Sequence, residues 1–430
     1  MSLIYSIATY LTRHIEYFLR KSLLFTVIFK ILGFIENSWT NSYFKQFYPG
    51  DDSLSIVKRS EILSNHIFAP LIVIVAFSIF LILATKPLSR DLQITVIISF
   101  IFFIIGSMIL PRYILNNKSK NIPIFDTKDI HSIGFCLIII GIIFFLLSIA
   151  SVGGLPILKS SLRYSLKPIL TMPVFLMIPG IGLLGSDYLT QFKNNKINRA
   201  QVRFRFILLL ILGTFILLTL GYRTPIIALL LMIIIIGYYG EVLSVWEVIV
   251  GVLIGVCGII GIGYARSLSE LMITSNTSPF ATLESRADFT LNVLNLLNQI
   301  SGNFGILHGG MISSAMPGSE LGPRMIVGKL IAWRTEVTVT PTLLGQMLVD
   351  FGKVGVAIEM CLLGFILGTG YKIIKKTKDS FYIALYSIIL TYSILGVETG
   401  ILDIQVLFYF FVALMIYLAI ILKDKGIKIY

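Results

Sequence analysis

The fold of this chain is set by residues 204–240, which read FRFILLLILGTFILLTLGYRTPIIALLLMIIIIGYYG. The short segment GYRTP, residues 221–225, joins two long apolar runs with almost no loop between them. A helix rises about 1.5 Å per residue, so a run of roughly 18 to 20 apolar residues crosses a hydrocarbon core about 30 Å thick. Each of the two runs therefore predicts one membrane-spanning helix.

The same pattern recurs along the whole chain of 430 residues, of which 56% are hydrophobic and 13% are charged. Soluble domains carry roughly 25% charged residues, so the deficit of charge indicates a lipid environment. We predict an all-α, polytopic membrane protein with about ten transmembrane helices. The predicted spans are 67–85, 92–114, 131–151, 168–187, 204–221, 223–240, 244–264, 352–371, 381–397 and 402–422.

The spans divide the chain into five regions. Residues 1–66 form a cytoplasmic or interfacial N-terminal region, in which residues 2–36 predict an amphipathic helix on the membrane surface, with a true span as the alternative. Transmembrane helices 1–7 occupy 67–264, and helices 8–10 occupy 341–422. Between them lies an extracytoplasmic loop at 265–340, and residues 423–430 form a cytoplasmic tail.

The orientation follows from the basic residues in the connections. Cytoplasmic segments carry 23 Lys and Arg residues and the opposite segments carry 11, when Lys353, at a span edge, is left out. This asymmetry places both termini in the cytoplasm of a multi-pass protein of the cell membrane. It also accounts for the net charge of +13 without a nucleic-acid partner. The three cysteines lie within apolar runs, so neither a disulfide framework nor a CxxC metal site is indicated.

The predicted outer loop is far longer than a helical bundle needs, and such loops usually carry binding or catalytic residues. Apolar residues at helical spacing predict a short helix inside it, and several Gly and Pro residues predict that the remainder is irregular. The predicted apolar face consists of Phe289, Val293, Leu296, Leu297 and Ile300.

The predicted outer surface carries many cations, against the usual charge bias. Guanidinium groups pair well with phosphate oxygens, which makes an anionic ligand the natural explanation for the set. Any single member could instead be a solvated charge or a contact to lipid headgroups. The set is Lys159, Arg163, Lys167, Arg223, Arg266, Arg286, Arg324, Lys329 and Arg334.

Arg223 is the sharpest case because it lies at the head of a span, where an unpartnered charge is costly. Anion binding is one reading of Arg223, and a snorkelling interface anchor is the other. Arg334 and Glu336 lie just before the chain re-enters the membrane, and they could equally pair with each other.

Candidates for a general base are few. His308 is the one histidine on the predicted outer side, so a His-rich metal site is not expected, and its side chain is either a base or simply solvated. Five outward acids compete for the same role, although a structural role is the first expectation for each. They are Glu320, Glu336, Asp350, Glu398 and Asp403. The chain has no P-loop, GxSxG or HExxH motif, which argues against direct nucleotide hydrolysis, a serine hydrolase and a zinc protease.

Seven spans, a large outward loop, three closing spans and the GYRTP turn resemble the oligosaccharide repeat unit polymerases of the O-antigen polymerase (Wzy) type. The segments TPTLLGQM (340–347) and DFGKVG (350–355) are similar to the part of that family that follows the loop. The resemblance covers most of the chain from about residue 67 onward. It implies a GT-C-like glycosyltransferase that acts on lipid-linked sugars without a metal or other cofactor.

What the resemblance implies in detail is transfer of a growing glycan from its polyprenyl diphosphate to a single lipid-linked repeat unit. Arg223 matches the family's arginine at a span head, and Arg324 and Arg334 correspond to its loop arginines. Expected partners are this lipid-linked oligosaccharide, membrane lipids, a flippase and a chain-length regulator. The predicted catalytic residues are Arg223, Arg324, Arg334, His308 and Glu336. The predicted substrate-binding residues are Arg163, Lys167, Arg266, Arg286, Tyr222 and Trp333.

Three alternatives stay open. A ligase would move a finished glycan from the same carrier to an unlike acceptor. A flippase or secondary transporter would place polar residues at mid-membrane in broken helices, whereas the polar residues here collect at the outer ends of the spans. A membrane scaffold would not need the outward arginines.

Overall fold

The computed structural model describes residues 66–114, 127–157, 162, 165–271, 279–316, 318–332 and 338–424. These residues form helices and connecting loops, without a strand among them. The chain from Ile67 onward makes one compact unit. The amphipathic helix predicted at 2–36 lies outside the described residues.

The helices are named here in chain order. The N-terminal set comprises α1 (Ile72–Leu83), α2 (Arg90–Ile104, continued by a π-helical turn at Ile105–Ile109 and by Leu110–Ile114), α3 (Thr127–Val152), α4 (Met177–Lys193, preceded by helical turns at Pro168–Thr171 and Met172–Leu176), α5 (Arg199–Thr219), α6 (Thr224–Tyr239) and α7 (Val245–Leu271). The C-terminal set comprises α8 (Pro279–Ser301), α9 (Gly310–Ser314), α10 (Pro323–Ala332), α11 (Thr342–Thr377), α12 (Ser380–Thr399) and α13 (Ile404–Asp424).

The predicted all-α, polytopic fold is confirmed. Seven helical segments are long and apolar enough to cross a membrane, and three shorter apolar helices accompany them within the described residues. Together they occupy the ten predicted positions. The seven are Arg90–Tyr113, Lys128–Val152, Pro168–Lys193, Arg199–Thr219, Thr342–Thr377, Ser380–Thr399 and Ile404–Leu422, and the shorter three are Ile72–Leu83, Thr224–Tyr239 and Val245–Gly258.

Side chains on the surface of the bundle have the character expected for contact with lipid. Ile82, Ile211 and Phe215 are 80%, 60% and 65% exposed. By contrast, α12 is buried along most of its length and forms the centre of the bundle. An apolar exterior around a packed interior is the arrangement that a bilayer stabilises.

Close helix contacts in the bundle depend on glycine. A Cβ atom added at Gly106 of α2 would lie 2.1 Å from the carbonyl oxygen of Cys361 on α11, and one at Gly368 would lie 2.1 Å from that of Ser107. Small residues at such crossings let helix backbones approach each other, which is a main source of helix association in membranes. The α2–α11 contact therefore tolerates no larger residue at these positions.

The described part of the loop region contains the predicted helix, which is α8, and only part of its predicted apolar face is buried. Val293 and Leu297 of the predicted apolar face are buried, at 2% and 0% exposure, whereas Phe289 and Ile300 of the same face are 57% and 45% exposed. The reason is that α8 packs on α11: a Cβ at Gly345 would lie 3.0 Å from Leu297 Cδ1. The packing partner thus buries a stripe that shares Val293 and Leu297 with the predicted face and adds Leu294.

Helix α11 begins ten residues before the predicted span and is broken in the middle. At Gly352 the backbone has φ +62° and ψ −151°, and Phe351 is also outside the helical range. This combination at Gly352 is accessible essentially only to glycine. The turn that follows α8 fills the break, because Val354 N–H donates to the carbonyl of Asn303.

Candidate functional site

One end of the bundle gathers the polar residues of the loop region. It is called the loop end here, and it comprises α8–α10 together with the described residues of the connections 84–89, 153–157, 165–167, 220–223 and 400–403. Side-chain contacts fasten the loop helices to these connections or to the helix ends beside them, and among them Ser89 Oγ donates to Asn295 Oδ1 of α8 at 2.5 Å. Three others involve charged side chains, and they are Thr85–Asp288, Arg286–Glu398 and Arg324–Asp403.

The central contact is an ion pair between α10 and the start of α13. Arg324 Nη2 lies 2.6 Å from Asp403 Oδ2, and the two side chains are 32% and 34% exposed. The main-chain carbonyl of Arg324 also accepts a hydrogen bond from Val339 N–H at 3.0 Å. Arg324 is therefore fixed at its backbone and at its guanidinium, with part of that group still accessible.

Several buried polar atoms use none of their hydrogen-bonding capacity, and they belong to Arg324 itself and to the helices α11–α13. Arg324 Nε, Thr342 Oγ1, Tyr392 Oη and Gln405 Oε1 are buried and have no partner among the described residues. A buried polar group without a partner costs about 1–3 kcal/mol, so a group of them at one place needs an explanation. Donors and acceptors left available beside a fixed guanidinium are suited to a ligand with several oxygens.

The start of α11 belongs to the same group of contacts. Gln346 Oε1 accepts hydrogen bonds from the backbone N–H groups of Ile401 and Leu402, at 3.1 and 2.9 Å. These two residues immediately precede Asp403. Gln346 is 1% exposed, so its amide holds the connection to α13 rigidly and fixes the position of the Asp403 carboxylate.

Arg223 lies at the same end, next to a series of aromatic contacts that begins at Tyr409 of α13. Tyr409 Oη donates to the carbonyl of Phe175 at 3.3 Å, and the rings of Phe175 and Tyr222 are 5.2 Å apart in an edge-to-face arrangement. Arg223 follows Tyr222 and begins α6 as its N-cap residue, where it is half-buried. These contacts connect α13 to the turn before α6, and a joint role of Arg223 and Arg324 stays a prediction.

Two further predicted binding residues are described, and both are more exposed. Arg286 pairs with Glu398, with side-chain exposures of 56% and 33%. Lys167 is exposed, and its backbone carbonyl begins the helical turn Pro168–Thr171. Exposed ion pairs contribute little to stability, so an anionic ligand can replace Glu398 as the partner of Arg286 at a small cost in free energy.

His308 lies on an exposed turn between α8 and α9, where φ is +47°. Its backbone N–H donates to the carbonyl of Asp350 at 3.0 Å, whereas its imidazole makes no hydrogen bond to the described residues. The structure does not bring the imidazole into contact with the Arg324–Asp403 pair. Its role as a general base stays a prediction.

Asp350 has a structural position. It is completely buried, and its Oδ1 and Oδ2 accept hydrogen bonds from Met311 N–H at 2.8 Å and from Ile312 N–H at 3.0 Å. A carboxylate held by two backbone donors at the start of a helix is a helix cap. Asp350 thus anchors α9 to α11 and is withdrawn from the candidate bases.

Five other predicted site residues have no described side chain. Arg163, Trp333, Arg334 and Glu336 fall in the gaps between the described ranges. Arg266 belongs to α7, but its side chain is not described. The roles assigned to these five residues, and a pairing of Arg334 with Glu336, stay predictions. In the described part of the chain, no group of three or more His, Cys, Asp or Glu side chains is placed to hold a metal ion.

Sequence reasoning missed part of the site. Asp403 and Glu398 were treated as competing bases, and they are the partners of Arg324 and Arg286. Gln405, Tyr392 and Tyr409 were not singled out at all. Each of them is a polar side chain inside an apolar run. Many membrane helices contain such residues, so their spacing alone does not mark them as part of a site.

Comparison with known proteins gives a family. Residues 66–410 match the family model described as "Putative O-antigen polymerase". The chain is also 27% identical over 345 residues to an uncharacterised protein of Methanocaldococcus jannaschii, and this match covers 79% of the chain and 91% of that protein. No solved structure matches the chain.

Proposed function

This chain belongs to the O-antigen polymerase family, and on that premise we propose that it polymerises oligosaccharide repeat units carried on a polyprenyl diphosphate. In this reaction the growing glycan leaves its own carrier and is joined to a single lipid-linked unit. The protein is then a membrane-embedded glycosyltransferase of surface polysaccharide synthesis. The uncharacterised relative adds nothing on the reaction itself.

The observation that carries the proposal is the fixed Arg324–Asp403 pair at the loop end, in which the buried Nε of Arg324 has no partner among the described residues. In the proposed step, a hydroxyl oxygen of the acceptor unit forms a bond to the anomeric carbon of the donor glycan. The bond from that carbon to the diphosphate oxygen breaks, and its electron pair leaves with the diphosphate. A guanidinium held in place beforehand stabilises this developing negative charge.

The acceptor hydroxyl must also lose a proton to a nearby base. His308 and Glu336 are the proposed bases, since Asp350 is occupied as a helix cap. Asp403 has a different role in this scheme: it accepts a hydrogen bond from Arg324 and holds the guanidinium toward the diphosphate. Arg223, half-buried at the head of α6, supplies a second positive charge at the same end.

We place the loop end on the outer face of the cytoplasmic membrane, with both termini inside. The support is the distribution of Lys and Arg, with 23 on the segments assigned to the cytoplasm and 11 on the outer ones. A flippase that delivers the lipid-linked units and a regulator of chain length are the partners that this location implies.

Alanine substitution of the two arginines tests the proposal. Arg223→Ala and Arg324→Ala should each abolish or strongly shorten the glycan ladder in a host that lacks its own polymerase. The matched control is Arg205→Ala. Arg205 donates a hydrogen bond to Gln191 and lies over the ring of Tyr188, where α4 ends and α5 begins, away from the loop end. Full-length ladders in both loop-end variants, at normal protein levels, would refute the proposal.

The same experiment separates the polymerase from a ligase. A polymerase joins like units and gives a ladder with a spacing of one repeat unit. A ligase attaches a finished glycan to an unlike acceptor, so its product contains the acceptor and no ladder forms from the repeat unit alone. Mass spectrometry of the reducing end identifies which of the two is made.

A further inference from the structure

A polar cleft lies beside the loop helices, away from the arginine pair. It has a volume of about 470 Å³ and runs between the end of α1 and the outer face of α8. Ligand-binding clefts usually have volumes of about 300–1,000 Å³, so this open cleft lies within the range for a small ligand. The lining residues are Thr85, Lys86, Ala281, Glu284, Ser285, Asp288, Phe289 and Asn292.

The spacing along α8 explains why these side chains line a common wall. Ala281, Ser285, Asp288 and Asn292 are separated by four, three and four residues, so they lie on one stripe of the helix. The opposite stripe of the helix, which includes Leu294, packs into the bundle. The cleft wall is therefore the side of α8 that the fold does not use for packing.

The wall is held rigidly at Asp288. Its Oδ2 accepts a hydrogen bond from Thr85 Oγ1 at 2.6 Å, and its Oδ1 accepts bonds from Thr85 N–H at 2.8 Å and Lys86 N–H at 3.1 Å. These contacts tie the middle of α8 to the end of α1, 203 residues earlier. A cleft with one fixed corner binds a ligand with less loss of conformational freedom than a mobile surface.

The charges of the cleft repel the diphosphate of the proposed substrate and are suited to its sugar residues. Glu284 and Asp288 outnumber Lys86, so the net charge is negative and repels a diphosphate. Carboxylates accept hydrogen bonds, and the amide of Asn292 both donates and accepts them, which matches the hydroxyl groups of a sugar. Phe289, 57% exposed on the same wall, offers an apolar face for the C–H side of a pyranose ring.

We propose that this cleft binds a sugar residue of the oligosaccharide substrate, separately from its diphosphate. The identity of the ligand as a saccharide rests on the proposed function. Helix α8 links the cleft to the arginine site, because Arg286, on another side of the same helix, pairs with Glu398 at the end of α12. Asp403 lies five residues further along the chain.

The experiment measures saccharide binding without catalysis. The probe is the oligosaccharide released by mild acid from the lipid-linked repeat units of the source organism, which lacks both lipid and diphosphate. It is titrated into the purified full chain in detergent and followed by saturation-transfer NMR. Phe289→Ala and Asn292→Ala should each weaken binding by about tenfold, the loss expected for one stacked ring or one amide contact.

Phe280→Ala is the matched control, because Phe280 is an aromatic residue of the same helix, 66% exposed and outside the cleft lining. Its affinity for the probe should equal that of the unmodified chain. Equal affinity in all three variants would overturn the proposal, and so would the absence of binding to the unmodified chain up to about 10 mM, beyond the usual range of specific recognition. Melting temperatures of the variants confirm that each one is folded.

Failure of the cleft and failure of the polymerase proposal are distinguishable. If purified protein joins lipid-linked units but binding does not respond to Phe289→Ala, the cleft proposal is wrong and the polymerase stands. If binding responds to Phe289→Ala but no polymer forms, the cleft stands and the reaction must be another one on the same saccharide.

Discussion

Arg324 Nη2 on α10 lies 2.6 Å from Asp403 Oδ2 at the start of α13. The two residues are 79 positions apart in the chain and belong to different predicted regions, the loop and the last span. An arginine that is paired on one side and has an unused, buried Nε on the other is oriented before any ligand arrives. This orientation is what electrostatic stabilisation of a leaving group requires.

The first prediction separates Arg324 from its partner. Arg324→Ala should lower the initial polymerisation rate by about 10²- to 10³-fold, the usual effect of removing one preorganised charge donor. Asp403→Asn keeps the guanidinium of Arg324 and weakens only the contact that positions it. The polymerisation rate of this variant should therefore fall by about tenfold. Rates are measured with purified lipid-linked units in detergent.

The control for Asp403→Asn is Glu241→Gln. Glu241 pairs with Lys378 at 3.4 Å on the far surface, and both side chains are about three-quarters exposed, at 76% and 75%. Its substitution should leave the rate unchanged. A loss in Asp403→Asn as deep as that in Arg324→Ala would contradict a positioning role for the aspartate.

The second prediction concerns the break in α11. A Cβ at Gly352 would lie 2.3 Å from the carbonyl of Asn303, and one at Gly305 would lie 2.3 Å from that of Asp350. Both residues have positive φ, so alanine meets backbone strain and a clash with main-chain atoms together. Each substitution should cost about 3–5 kcal/mol of stability, seen as a lower melting temperature in detergent.

Gly258→Ala serves as the comparison, because no heavy atom lies within 4 Å of a Cβ added there. It should leave the melting temperature equal or slightly higher, since alanine is a better helix former than glycine by about 1 kcal/mol. Similar melting temperatures for Gly352→Ala and Gly258→Ala would show that the break does not depend on glycine.

The third prediction tests the buried cap. Asp350→Ala removes the acceptor for Met311 N–H and Ile312 N–H and leaves two donors without a partner, each costing about 1–3 kcal/mol. Helix α9 should then open, and hydrogen exchange across residues 306–314 should accelerate. Asp379→Ala is the control: it removes the N-cap of α12, a loss of about 1 kcal/mol, and should not change exchange at α9. Slow exchange at 306–314 in Asp350→Ala would contradict the anchoring role.

The fourth prediction concerns pH and Asp288. The hydrogen bond from Thr85 lowers the pKa of this carboxyl below 3.8, desolvation opposes the shift, and the backbone donors of Lys86 and Thr85 add to it. Because the folded-state pKa is lowered, the stabilisation is present above the unfolded pKa and is lost as the pH falls through the folded one. The difference in melting temperature between the unmodified chain and Asp288→Asn should be constant from about pH 8 to 5 and shrink only below the ordinary aspartate pKa. A difference that already declines near pH 6 would contradict this assignment.

The sequence by itself determined the all-α polytopic fold and the positions of its helices. Apolar runs such as 204–221 and 223–240 predict helices because lipid cannot form hydrogen bonds with the backbone. A long apolar segment in the membrane therefore has to form a helix. The same reasoning singled out Arg223, since a charge near the hydrocarbon needs a partner or a function, whereas Arg324 was selected as an outward cation of the loop.

Only the tertiary structure decided which residues meet. The stripe of α8 that is buried depends on where α11 presents Gly345, and the sequence of α8 fits more than one apolar face. Likewise, Asp350 and Asp403 look alike in the sequence, yet one caps α9 and the other pairs with Arg324. Periodicity fixes the environment of one helix at a time, whereas an ion pair between residues 79 apart depends on how separate helices pack.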